Sequence, residues 1–162
     1  MKKFFFISLF LLIISCSNIE FVYNESGNII NPLYEKTNVS TSGFDLVFIQ
    51  SYIPTVFGTV KENNFNLLIN IEERKTKRSV ETNQATSNLR YELRFKYILR
   101  SIDKSCVTYE KEILSFFSII PKSSGYNYGT DASLEKKYEL AIIENINQFV
   151  SFLSGADIKN CK

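Results

Sequence analysis

The chain has 162 residues, 19 Lys and Arg against 17 Asp and Glu, three cysteines and no histidine. Lys2 and Lys3 precede the first apolar run, which leaves 17 basic against 17 acidic residues beyond it and no net basic field to attract nucleic acid. Without histidine, the commonest metal ligand and the usual neutral-pH general base are both missing, so metal-dependent and triad-type chemistry are poor expectations.

The first element is "FFFISLFLLIISCSN", Phe4 to Asn18. Its apolar stretch, Phe4 to Ile14, would rise about 16 Å as a helix, roughly half of the hydrocarbon core that a spanning helix must cross. A basic start, a short apolar run and a small residue before the break are the parts of a secretory signal. Ile13-Ile14-Ser15-Cys16 resembles a bacterial lipobox, in which the cysteine is acylated and becomes the mature N-terminus. Several acyl chains hold a protein on a bilayer nearly irreversibly, so residues 1–15 are expected as a lipoprotein signal peptide and Cys16 as the membrane anchor. Ser17 stands at the second mature position, where an aspartate would signal inner-membrane retention; the resemblance therefore implies the periplasmic face of the outer membrane.

The remaining length suits one domain. Residues 16–43 are rich in Asn, Ser and Gly and read as a lipid-anchored tether, with a single periplasmic domain over 44–162. "FDLVFIQ", Phe44 to Gln50, reads as a buried strand, interrupted afterwards by Pro54 and Gly58. In "NNFNLLINIEE", Phe65, Leu67, Ile69 and Ile71 share one face; in "LRYELRFKYIL", Leu89, Tyr91, Leu93, Phe95 and Tyr97 alternate cleanly with charged residues. A turn over 101–105 returns the chain as "CVTYEKEILSFFSII", whose mixed parity beyond Ile113 predicts a bulge or a doubly covered end. Thr130, Asp131 and Ser133 offer helix caps, and Leu134, Tyr138, Ala141, Ile142, Asn145, Phe149, Phe152 and Leu153 recur at helical spacing up to Gly155. The expected class is α+β: an antiparallel sheet of about four strands against one or two helices in two layers.

Chemistry is sparse. Arg74, Lys75, Lys77 and Arg78 form the one basic cluster beyond the signal. It reads either as a solvated hairpin tip or strand edge, where basic residues discourage edge-to-edge pairing, or as a phosphate-binding tip. Tyr126 and Tyr128 sit among Gly, Ser and Asn, as capping contacts or as a partner-interface anchor. Glu72-Glu73 and Glu110-x-Glu112 are paired acids on charged strand faces, poorly placed for acid/base work. Cys106 and Cys161 are an even pair in an oxidising compartment, either disulfide-bonded or two independent thiols. No enzyme activity and no cofactor are expected.

The lipobox, the strand "YELRFKYIL", the return strand ending in "FFSII" and the segment "GYNYGTDASLEKKYELAIIENINQFVSFL" together resemble the LPS-assembly lipoprotein LptE family of Gram-negative bacteria, over roughly Phe65 to Leu153. The resemblance implies a non-catalytic outer-membrane lipoprotein in lipopolysaccharide assembly. It would plug the lumen of an LptD-like outer-membrane β-barrel and receive LPS, with the Arg74–Arg78 cluster of the right character for lipid A phosphates. The family's first helix would fall on 51–64, where Pro54 and Gly58 predict that it is reduced or absent. The alternative function is a periplasmic lipid-binding or envelope-maintenance lipoprotein with no barrel partner.

Overall fold

A computed structural model of the chain describes residues 31–44, 47–79, 87–119, 128–158 and 160–161, without the side chains of 77–79, 87–88 and 128–131. The elements are β1 (Thr37–Gly43), α1 (Val47–Phe57), β2 (Phe65–Ser79), β3 (Ser87–Ser101), β4 (Cys106–Ile119) and α2 (Tyr128–Ser154). They make an α+β fold with a four-stranded sheet in the order β1-β2-β3-β4.

The period-2 patterns decide which face of the sheet is covered. Leu67, Ile69 and Ile71 of β2 and Leu93, Phe95, Tyr97 and Leu99 of β3 are each at most 1% exposed, and they meet Ile142, Ile146, Phe149 and Leu153 of α2. Each such large apolar side chain contributes about 1.5–3 kcal/mol by leaving water. The Tyr97 and Phe149 rings stack with centroids 3.9 Å apart, so the layer between sheet and helix is filled. The opposite sheet face has no helix on it among the described residues, and Arg90, Lys96, Arg100, Glu110 and Glu112 are exposed there.

The sheet is mixed, not the antiparallel meander the sequence suggests, because β1 pairs parallel to β2, Thr37 with Phe65 through Gly43 with Ile71. Parallel neighbours need a crossover, and α1 supplies it. The segment 44–50, expected as a strand, is therefore split between the turn after β1 and the start of α1. Its apolar residues belong to a helical series, with Phe48 and Ile49, Tyr52 and Ile53, and Val56 and Phe57 recurring every four positions on the core side. The first helix is thus present over Val47–Phe57 with Pro54 inside it. It ends in a single-bond cap: Gly58, at φ 71°, donates its N–H to the Pro54 carbonyl at 2.9 Å.

Residues 31–43 are domain, not tether. Leu33 is fully buried in the core, Asn31 donates its side-chain amide to the Val56 carbonyl at 2.8 Å, and Thr37–Gly43 is a sheet strand. A short, mostly polar segment forms that strand because β2 supplies a hydrogen-bonding edge. The parity of β4 also holds beyond Ile113: Leu114 and Phe116 are 42% and 48% exposed on the open face, while Phe117 packs inward. The register shift lies at the other end of the strand pair, between Leu99 and Arg100. The C-terminal helix is longer than expected, 27 residues, and opens at Tyr128. Phe152 lies at its rim, 39% exposed beneath the Lys111 ammonium at 4.2 Å.

Candidate functional site

Arg74, Lys75, Lys77 and Arg78 do not sit on a hairpin tip but within the outer half of β2, which runs on to Ser79. Strand alternation then separates them. Arg74 and Arg78 occupy positions of the open face, opposite Glu92 and Asn88, and Lys75 and Lys77 occupy positions of the helix-covered face, opposite Tyr91 and Leu89. Residues four apart on a strand are about 13 Å apart, so the backbones of Arg74 and Arg78 are separated by about that distance. The side chains of Lys77 and Arg78, all of Cys16 and Tyr126, and the side chain of Tyr128 lie outside the described residues.

Lys75 is engaged within the chain. Its Nζ lies 2.9 Å from a Glu73 carboxylate oxygen and 5.4 Å from the Tyr91 ring centroid. The hydrogen bond it donates to Glu73 holds the ammonium pKa above its ordinary value. Glu73, whose side chain is 8% exposed, also accepts the Tyr138 hydroxyl at 2.9 Å. Burial, with that carboxylate beside it, pushes the Tyr138 hydroxyl far above the usual tyrosine range. Tyr138 in turn stands edge-on to Tyr91 and Phe117, with centroids 5.6 and 4.9 Å away, and stacks on Phe44 at 5.7 Å. A carboxylate thus emerges on the apolar face at the end of the hydrophobic alternation of β2, satisfied by a tyrosine from α2 and a lysine two residues on. Only the break in alternation at Glu73 hinted at this in the sequence.

The open face is a charge lattice. Arg94 reaches Glu92 at 3.4 Å and Glu112 at 3.5 Å, Lys96 reaches Glu110 at 2.9 Å, and the Arg90 guanidinium lies 4.7 Å from the Phe116 centroid. Such exposed pairs each contribute little to stability. They give Glu110 and Glu112 basic partners. Arg74 takes part in none of the ion pairs among the described residues.

At the far end, where residue 31 enters, a cleft of about 850 Å³ is lined by Lys36, Asn64, Phe65, Asp103, Lys104 and Ile158 among others. Cys106 and Cys161 are joined in a disulfide near this end, with Cα atoms 5.8 Å apart, tying the residues after α2 to the start of β4. Among the described residues no group of His, Cys, Asp and Glu could hold a metal ion, and no helix is long and apolar enough to cross a membrane.

No described protein family and no curated protein matches this sequence. Solved structures are similar in part, and one of them shares the fold. A lipoprotein candidate from Caulobacter crescentus superposes with a TM-score of 0.55 at 8% identity, over 75% of this chain and 89% of its own. A minor lipoprotein from Acinetobacter baumannii and rare lipoprotein B from Shewanella oneidensis each give a TM-score of 0.48 at 10% identity. The first covers 75% of this chain and 94% of its own, the second 74% and 97%.

Proposed function

We propose that this chain is an outer-membrane lipoprotein, acylated at Cys16 and facing the periplasm, that acts without catalysis in lipopolysaccharide assembly. In this reading the domain plugs the lumen of an LptD-like β-barrel and receives LPS there. The observation that carries it is the division of labour along the sheet. Residue 31, and hence the path to Cys16, enters at one end of β2, while the arginines and lysines lie toward the other. Fifteen residues of strand place those two ends about 46 Å apart. A filled two-layer body suits a plug better than a carrier, and its apolar burial and shape supply binding while charges orient the ligand. Arg74, Lys77 and Arg78 are the phosphate-contacting candidates, and Lys75, also in the cluster, is engaged by Glu73.

The test is affinity capture of the full-length lipoprotein from detergent-solubilised outer membranes, with mass spectrometry of what co-purifies. A large β-barrel at near-equal stoichiometry is expected, and recovery without one overturns the plug. Replacing Arg74, Lys77 and Arg78 with Ala, with Lys75 kept as the partner of the nearly buried Glu73, should weaken LPS binding at least about tenfold, the equivalent of ~1.4 kcal/mol, and leave the thermal midpoint nearly unchanged. Unchanged LPS affinity would remove the phosphate role.

The cleft favours a second reading, an envelope-maintenance or lipid-binding lipoprotein without a barrel, since its volume is of ligand size. Its mixed lining of Lys36, Asp103, Lys104 and Asp157 against Phe65 and Ile158 suits a polar headgroup more than acyl chains. A lipid co-purifying with the lipoprotein in place of a barrel is the outcome that would favour it.

A further inference from the structure

We propose that the free edge of β2, from Glu72 to Ser79, is a strand-addition site for an extended acidic polypeptide segment of a partner protein, which would continue the sheet where β1 stops. The inference rests on the sheet and stands apart from the LPS reading.

β2 has fifteen residues and β1 covers seven of them, Phe65 to Ile71. The chain then leaves the sheet at one point. Gly43, at φ 90°, lies so close to the Ile71 carbonyl oxygen that a Cβ there would overlap it, and Phe44 donates its N–H to the same oxygen at 2.8 Å. On the other side, β2 and β3 keep an unbroken register from Phe65–Ser101 to Ser79–Ser87. Successive residues of an unbroken strand direct their N–H and C=O groups to alternate sides. Because Ile71 faces β1, the backbone groups of Glu73, Lys75 and Lys77 face the same way, onto an edge that no strand covers among the described residues.

Such an edge is a template for another chain unless it is blunted. This one spans about 23 Å, with no proline and no register break. Its protection is charge, since Glu-Glu-Arg-Lys-Thr-Lys-Arg-Ser carries four basic residues against two acidic ones. Glu73 is already committed to Lys75 and Tyr138. Two copies of this edge would bring basic residues together, so charge disfavours self-pairing and favours an acidic strand. The flanks specify its pattern. Partly buried Phe44 lies on the helix-covered side, and exposed Arg74 on the open side. A strand that alternates acidic with apolar residues fits both.

The probe is a capped eight-residue peptide alternating Glu and Val, added to the full-length lipoprotein in detergent while amide hydrogen exchange is followed by mass spectrometry. Its control is the same peptide N-methylated at alternate residues, which keeps the charge and loses the ladder bonds. Exchange over 72–79 is expected to slow at least tenfold with the plain peptide and not with the methylated one. Lys77→Pro should abolish this protection and Lys77→Ala retain it. The Lys77 N–H has no strand partner on β3, so proline there breaks no ladder bond. Equal protection by both peptides would reduce the edge to a charged surface, and no protection by the plain peptide, or full protection in Lys77→Pro, would overturn the proposal.

Discussion

Asn145 occupies a place in the α2 spacing where an apolar residue would do, yet it is fully buried and satisfied. Its side-chain oxygen accepts the Tyr97 hydroxyl at 2.7 Å, and its amide donates to the Ser115 hydroxyl at 2.7 Å. One residue thereby locks α2 to β3 and β4 together, and burial raises the Tyr97 pKa well above its ordinary value. Asn145→Leu keeps the branched shape of the side chain but strands the Tyr97 hydroxyl, at a cost of about 1–3 kcal/mol. Adding Tyr97→Phe removes the stranded group, so the double variant should be more stable than Asn145→Leu alone in urea unfolding. A double variant whose loss equals the sum of the single losses would mean that the two residues are not coupled.

At the scale of elements, the strands and the long helix follow local pattern while the βαβ unit does not. Alternation in 65–71 and 89–97 marks β2 and β3, because one face of each is covered and the other is open. Phe44–Gln50 is a short apolar run, and such runs look alike as strand or helix until the following Tyr52, Ile53, Val56 and Phe57 are counted with them. Pro54 hides that continuity. The helix end depends on Gly58, whose left-handed backbone closes the cap and which approaches Glu35 Cγ and Tyr34 Cζ at 2.9 and 3.0 Å from a would-be Cβ. Gly58→Ala should lower stability by about 1–2 kcal/mol, read as a fall in the thermal midpoint. An unchanged midpoint would show that the cap does not limit α1.

The whole molecule is held at its cleft end by a covalent tie. The Cys106–Cys161 bond spans 55 residues and encloses β4 and all of α2. On the chain-entropy account, a loop of this length stabilises by about 4 kcal/mol. Reduction, or the paired replacement Cys106→Ser with Cys161→Ser, should lower the unfolding free energy by that order in guanidinium titrations. A loss under about 1 kcal/mol would place the loop's order in the sheet–helix packing alone. The tie secures the end where residue 31 enters, and the open β2 edge lies toward the other end.

The basic cluster, Glu110 and Glu112 on the open face and the inward residues of β2, β3 and α2 were legible in the sequence, because each is a matter of residue type and period, whereas Glu73, read there as part of an exposed acid pair, lies on the covered face. Period also decides that Arg74 and Lys75 take opposite faces once both lie in one strand. Three things waited for the tertiary structure. The parallel pairing of β1 joins residues with weak strand preference to a distant edge, Glu73 finds its partner on a helix 65 residues away, and the two cysteines meet across the loop between them. Local sequence carries side-chain periodicity, whereas a partner far along the chain exists only after the core has brought the two segments together.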